Sequence, residues 1–337
     1  LRLLQAFLRT CEDPDAEAID IYCEGVRIGH KLKMPRTPAI YPKKDKWRIK
    51  YVDQETVEDQ WAPNYRTARE RLEVLESKVQ EDVADGRMRK MTFQEAKKTY
   101  GQDLLIGAMG LVDEGKDKFR LIHDGTHRVL INNRIRTLDH LPSPMVCDIS
   151  AEMAEVEETG VAHIALVWDF KSAHRLVQVS PLDWGLQACT LADLRGKAPS
   201  PDAEVYVNTV GTFGFSTAGY WWGRLAAMVI GAAHYFLWDG LKARTPSFAA
   251  DGMIPMPISK FRKMVPVLFS LFGIPGFPIK WSKVTGGTKF QWVGYWSDLD
   301  SFRIGISERR QRWIIEWIRA ALEGRPTIAD FDSALGR

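Results

Sequence analysis

Cysteine is scarce in this chain, and its four copies, Cys11, Cys23, Cys147 and Cys189, never fall at a Cys-x-x-Cys spacing. That excludes a disulfide scaffold and the usual cysteine-based metal sites, and leaves reduced thiols in an intracellular protein, cytoplasmic or nuclear, as the expectation. No N-terminal stretch combines a basic start, an apolar core and a small-residue cleavage site, so no targeting signal is read. The longest charge-free stretch, 205–223, holds Asn208, glycines and hydroxyls and closes at Arg224. A membrane span is not expected from such a segment. An excess of one charge is missing too, because 46 basic and 43 acidic residues leave a net charge of only +3. Any nucleic-acid surface must therefore be a local patch.

What is present is apolar content sufficient for a sizeable core, 45% of 337 residues. Residues 34–46, MPRTPAIYPKKDK, are rich in proline and basic residues and read as an extended linker. From Tyr65 the apolar positions Ala68, Leu72, Leu75, Val79 and Val83 recur at helical steps up to Gly86. Thr92 and Glu95 form a capping-box pattern for a second helix closed by Gly101. Ordinary packing explains both helices. Beyond them, Leu104–Met109 and Phe119–Ile122 flank a polar turn and predict a hairpin. Ser216–Trp238 and Ser307–Leu322 predict helices with broad apolar faces, the second carrying arginines on its other side, and 258–272 a helix interrupted by Pro266.

Two aspartates stand out. Asp169 ends the apolar run Ile164–Trp168, which reads as a buried strand, and Asp251 precedes Gly252 in SFAADGM, the pattern of a tight turn. Carboxylates at adjacent strand ends repel unless a divalent cation lies between them. Two unrelated strand-terminal aspartates remain the alternative. FLWDGL (236–241) offers a competing Asp-Gly pair, but it follows Gly214 too closely to leave room for a helix, a turn and a returning strand. Pro246, just before the strand that would carry Asp251, marks an irregular hairpin. His123, His127 and His140 lack the spacing of a zinc site.

Several segments, taken in order, resemble the motifs of a reverse transcriptase. FRLIHDGTHRVLINNRI (119–135) is similar to the fingers motif, VWDFKSAHRLVQV (167–179) to the first palm motif and VYVNTVGTFGFSTAGYWWGRL (205–225) to the motif in which a Phe-Gly turn opens a long helix. SFAADGM resembles the metal-binding hairpin, FGIPGFPIKWSKVTGG (272–287) the glycine–lysine motif, and KFQWVGYWSDLD (289–300) the primer-grip hairpin. The resemblance covers roughly residues 105–325 and is nearest to eukaryotic retroelement polymerases. It implies an α+β right-hand polymerase with an antiparallel palm sheet: an N-terminal extension over 1–102, fingers and palm over 103–300, and the start of the thumb over 301–337. The chain begins at Leu1 in mid-pattern and ends at Arg337 just after an apparent helix, and a fragment of a longer polyprotein is the expectation.

The resemblance also implies roles. Asp169 and Asp251 would hold two Mg²⁺ ions, and Lys283, or else Lys280, would donate a proton to the leaving pyrophosphate. Lys118 and Arg120 would meet the incoming triphosphate with Asp124 orienting Arg120, while Phe170, His174, Phe213 and Gly214 would shape the nucleotide site. Trp292, Gly294 and Tyr295 would support the primer end. The implied partners are an RNA or DNA template with its primer and deoxynucleoside triphosphates. One position departs from the family: the first of the hairpin's two adjacent aspartates is here Ala250. The expectation is therefore an RNA-directed DNA polymerase impaired at its metal site, or a catalytically dead remnant that binds nucleic acid.

Overall fold

The computed structural model describes residues 1–37, 41–47, 60–115, 117–194, 197–241, 247–248, 250–324 and 326–335. Its strands are β1 (Met88–Thr92), β2 (Ala108–Asp113), β3 (Phe119–Asp124), β4 (His163–Asp169), β5 (Ala188–Cys189), β6 (Glu204–Asn208), β7 (Ser247–Phe248), β8 (Asp251–Pro257), β9 (Thr285–Gly287), β10 (Lys289–Trp292), β11 (Tyr295–Asp298) and β12 (Arg303–Ile306). They form antiparallel sheets in the orders β1-β6-β5, β2-β3, β7-β8-β4-β9 and β10-β11-β12, interspersed with helices. The architecture is mixed α and β. The chain divides into two compact units, one of 1–143, 170–236 and 268–279, the other of 144–169, 237–267 and 280–337.

The first unit holds β1, β2, β3, β5 and β6. Its core gathers Leu75, Val79, Met88, Met109 and Tyr206 in one cluster that joins both of its sheets, and Ile106, Ala188, Val205 and Val207 in a second. The helix expected from Tyr65 is broken into Arg66–Arg69 and Leu72–Ala84, because Arg71 leaves helical geometry at φ −131° and ψ 51°. Ala68, Leu75 and Val79 are buried while Tyr65 and Leu72 are exposed, so the inward face is narrower than the periodicity implied. The capping box of Thr92 and Glu95 forms as expected and starts the helix Phe93–Tyr100. Residues 104–107 do not belong to the hairpin: Ile106 exchanges backbone hydrogen bonds with Gln60 and Ala62, and pairing with β3 begins only at Ala108.

Residues 1–37 are fastened to the rest of this unit by charge and aromatic contacts. Asp15 meets Arg224 through two hydrogen bonds, one of 2.6 Å, and Asp183 meets Arg27 through two more of 2.7 and 3.0 Å. Tyr22 Oη donates to Trp221 O, and Trp221 Nε1 donates to Arg27 O. Within 34–46, the described residues carry no helix or strand beyond an isolated bridge between Lys43 and Asp139.

The second unit is built on β4, the strand read from its apolar run. Ala165, Leu166, Val167 and Trp168 are all buried, so both faces of the strand are covered, which is why the run does not alternate. Side chains such as Leu166 and Val167 each contribute roughly 1.5–3 kcal/mol on burial. Ala165 and Val167 pack with Ile149, Met153 and Val156 of the helix Val146–Glu158, and with Met253, Phe290 and Trp292. Asp251 does not sit in a turn. It opens β8, where Gly252 lies directly across from Trp168. FLWDGL forms the last turns of the helix Ser216–Leu241, so the competing Asp-Gly pair is no hairpin. Pro246 lies outside the described residues. The helix Ile258–Gly273 continues through Pro266 rather than stopping there. Among the described residues, no helix is long and apolar enough to cross a membrane.

Candidate active site

In the second unit, β4 and β8 pair so that Asp169 and Asp251 stand opposite each other at the end of the ladder. Cross-strand neighbours have Cβ atoms about 4.5–5.5 Å apart, so two carboxylates are brought face to face by register alone. Asp169 is 7% exposed and Asp251 is half-buried. Burial, and then the charge of Asp169, push the Asp251 carboxyl above its ordinary range, while Lys283 and Lys280 pull it back. Like charges confined this closely are relieved by a shared proton or by a cation between them.

Lysine supplies the cation. Lys283 Nζ lies 2.6 Å from Asp169 Oδ2. The placement is built into the backbone: Lys280 N–H donates to Asp169 O at 2.8 Å, a single 3₁₀ turn spans Trp281–Lys283, and β9 then pairs with β4 through Thr285 and Val167. The lysine backbone is thus fixed to β4 on both sides of the turn.

This donor set does not fit the two Mg²⁺ ions that the resemblance implies. Ala250 contributes no side-chain oxygen, one of the two carboxylates already holds an ammonium, and the described residues contain no cluster of three or more His, Cys, Asp or Glu side chains able to hold a metal.

The residues assigned to the primer end occupy β10 and β11. Trp292 is 3% exposed and belongs to the core. Val293 and Gly294 both take positive φ, 49° and 82°, as a two-residue hairpin loop of the primed kind requires. At Gly294 a Cβ would lie 2.3 Å from the Arg310 guanidinium carbon, and that guanidinium also covers the Tyr295 ring at 5.7 Å. Arg310 belongs to the helix Glu308–Glu323, whose N-cap Ser307 accepts from Arg310 N–H. Together with Gln291, Arg309 and Trp313 these residues line a recess of about 500 Å³. The sequence pattern missed Arg310 as a partner of the hairpin; its signal was the arginine run that opens the helix.

The nucleotide-site candidates lie in the first unit. Phe213 is 41% exposed, with the Arg120 guanidinium 5.4 Å from its ring and the His174 ring set edge-on at 4.8 Å. Arg120 also pairs with Glu114, and Lys118 lies exposed just before β3. His174 Nδ1 is 3.2 Å from Ala218 O, an atom that can only accept, so that nitrogen carries the proton. Burial holds the His174 imidazole below its ordinary range. Arg175 is taken up by Asp82 and Asn208 in the interior. Phe170 is 3% exposed and packs edge-on against Trp222, Phe272 and Phe277.

Gly214 is required where it stands. Its φ is +103°, and a Cβ would lie 1.7 Å from His123 O. Asn132 clamps the turn, its Nδ2 donating to Gly214 O at 2.7 Å and its Oδ1 accepting from Ser216 N–H at 2.9 Å. Asp124 contacts Tyr65 and not Arg120: it accepts from the Tyr65 hydroxyl and from the Thr126 and His127 amides. Burial works against the Asp124 carboxylate, yet these donors outweigh it and hold it below its ordinary range, while the phenol of Tyr65 is pushed up to about 12. Tyr65 carried no legible signal for this contact, because its partner Asp124 lies far along the chain.

No family model matches the chain, and no curated protein is recognisably similar to it in sequence. Solved structures do resemble it. The foamy viral protease-reverse transcriptase dRH in complex with double-stranded DNA superposes at a TM-score of 0.57 with 10% identity, covering 95% of this chain and 47% of that one. The foamy viral protease-reverse transcriptase, also with double-stranded DNA, superposes at 0.55 with 10% identity, covering 98% of this chain and 61% of that one. The chain thus spans about half the length of one and three-fifths of the other. At this identity the likeness speaks for the fold alone, which is similar to that of these two structures.

Proposed function

We propose that this chain is the polymerase domain of a retroelement reverse transcriptase, organised for RNA-directed DNA synthesis but impaired at its chemical step. The observation that carries the reading is the register pairing of Asp169 with Asp251 at the end of β4 and β8. On this reading 103–300 are fingers and palm, 301–337 open the thumb, and 1–102 are an extension. Arg120 and Lys118 receive the triphosphate of a deoxynucleotide, and Phe213, Gly214 and His174 bound its sugar and base. Phe170 supports that site from the core. Trp292, Gly294 and Tyr295 position the primer end, and the arginines of Glu308–Glu323 follow the phosphates of a primer–template duplex.

Two Mg²⁺ ions, when bound, supply the Lewis-acid chemistry of nucleotidyl transfer. The carboxylates left here are too few to assign a step to them. Asp169 and Asp251 keep their places, Lys283 sits where it could pass a proton to a leaving group, and the missing piece is the carboxylate at 250. A second reading, a remnant that binds nucleic acid without chemistry, is favoured by the ion pair of Lys283 with Asp169.

Primer extension on an RNA template with Mg²⁺ tests the proposal. The unmodified chain should synthesise little or no DNA, and Ala250→Asp should raise synthesis by at least two orders of magnitude, the scale on which a misplaced catalytic group acts. Both proteins should bind a primer–template duplex with an affinity that falls steeply as salt rises. Robust synthesis by the unmodified chain would overturn the impairment. A folded, duplex-binding Ala250→Asp protein that stays inactive would favour the remnant, and duplex affinity indifferent to salt would remove both readings.

A further inference from the structure

The end of β4 brings together two carboxylates and an ammonium, and the backbone keeps the ammonium there. Asp169 is nearly buried, Asp251 faces it in register, and the turn carrying Lys283 is tied at one end to the Asp169 carbonyl and at the other to Val167 through β9. Lysine contributes a compact charge at the tip of a flexible stem, so it can settle against one carboxylate without the fixed coordination that Mg²⁺ demands. Loss of the third carboxylate at 250 lowers the negative charge of the site, and one ammonium then offsets much of what remains.

We propose that the Lys283 ammonium is the resident cation of the Asp169–Asp251 pair, holding the seat of a divalent ion and making the site indifferent to metals. This deepens the reading of the two aspartates as a polymerase pair and rests on it.

The proposal predicts a reciprocal behaviour of lysine and metal. Thermal unfolding of the unmodified chain should not respond to millimolar Mg²⁺ or Mn²⁺ beyond the effect of KCl at equal ionic strength. Lys283→Met should unfold at a lower temperature, recover on addition of either metal, and bind Mn²⁺ at least tenfold more tightly by electron paramagnetic resonance titration. Adding Asp251→Asn to Lys283→Met should abolish the recovery, and Lys283→Arg, which keeps the charge, should remain indifferent to metal. Mn²⁺ binding by the unmodified chain that matches Lys283→Met and disappears in Asp169→Asn would overturn the proposal. So would a Lys283→Met protein with unchanged unfolding and no gain in Mn²⁺ affinity. If Lys283→Met does not fold, the comparison of the unmodified chain with Asp169→Asn decides alone. Duplex binding measured on the same samples separates the two levels: its absence removes the polymerase reading, whereas the Mn²⁺ titration judges the lysine.

Discussion

Two carboxylate–cation pairs, one in each compact unit, show how differently the same charges can be used. Asp15 and Arg224 lie in the first unit with side chains 8% and 5% exposed, joined by a guanidinium fork to both carboxylate oxygens. Asp169 and Lys283 lie in the second, where the lysine side chain is 52% exposed and its ammonium meets one carboxylate oxygen at 2.6 Å. The first pair cannot be opened without stranding a buried charge, so it fixes residues 1–37 to the helix Ser216–Leu241. The second costs less to open, because its lysine side chain reaches water. A fork in the interior is architecture, and a point charge on a half-exposed stem is a local contact.

Breaking each pair tests the contrast. Asp15→Asn should cost about 3–5 kcal/mol in urea unfolding, the usual penalty for removing one partner of a buried pair. Asp169→Asn should cost clearly less than that, since it leaves behind an ammonium that reaches water and removes a like charge facing Asp251. Equal losses would erase the distinction.

Acid should reach the first unit through His123. Its Nε2 lies 2.9 Å from Ala188 O, which only accepts, and its Nδ1 is 3.2 Å from the Asn208 amide nitrogen, which only donates, so the neutral ring satisfies both. Burial pushes this imidazole down to about 4. The unfolded chain therefore binds more protons than the folded one between pH 6.5 and 4, and stability must fall as pH is lowered through that window. The expected loss from this residue is on the order of 3 kcal/mol, and His123→Gln should flatten the slope. A slope unchanged in a folded His123→Gln protein would assign the acid sensitivity elsewhere.

The smallest expected effect concerns His174. In an Ala250→Asp background, His174→Tyr should raise selectivity for deoxynucleotides over ribonucleotides by roughly tenfold, since a larger ring beside Phe213 leaves less room for a 2′-hydroxyl. The next residue, Arg175, is held by Asp82 and Asn208. An unchanged ratio with intact deoxynucleotide incorporation would remove His174 from the gate.

Local rules made much of this fold legible. The apolar run before Asp169 gave a strand because it is covered on both faces, and Thr92 with Glu95, like Ser307, marked helix starts through hydrogen bonds that depend on neighbours three residues away. Register was harder. Asp251 next to Gly252 reads as a turn, yet the glycine is there because a Trp168 ring occupies the space a side chain would need. Contacts spanning long stretches of chain, such as Asp15 with Arg224 or Tyr65 with Asp124, leave no periodic trace. Of the candidate site, the aspartates and the lysine could be found by type and spacing, but that Lys283 and Asp169 would neutralise each other required coordinates.

Gly252 has a consequence for how such a site ages. A Cβ at this position would come within 2.2 Å of the Trp168 ring, so nearly any replacement forces the two strands apart and endangers the whole sheet. The residue at 250 lies before β8 begins, and on the reading proposed above a carboxylate there would serve chemistry and not the sheet. Where turnover ceases to matter to survival, residues of that kind are the first to be lost and those that hold strands together the last. On that reading a lineage can forget its reaction long before it forgets its shape, and Ala250→Asp asks whether the way back is a single side chain.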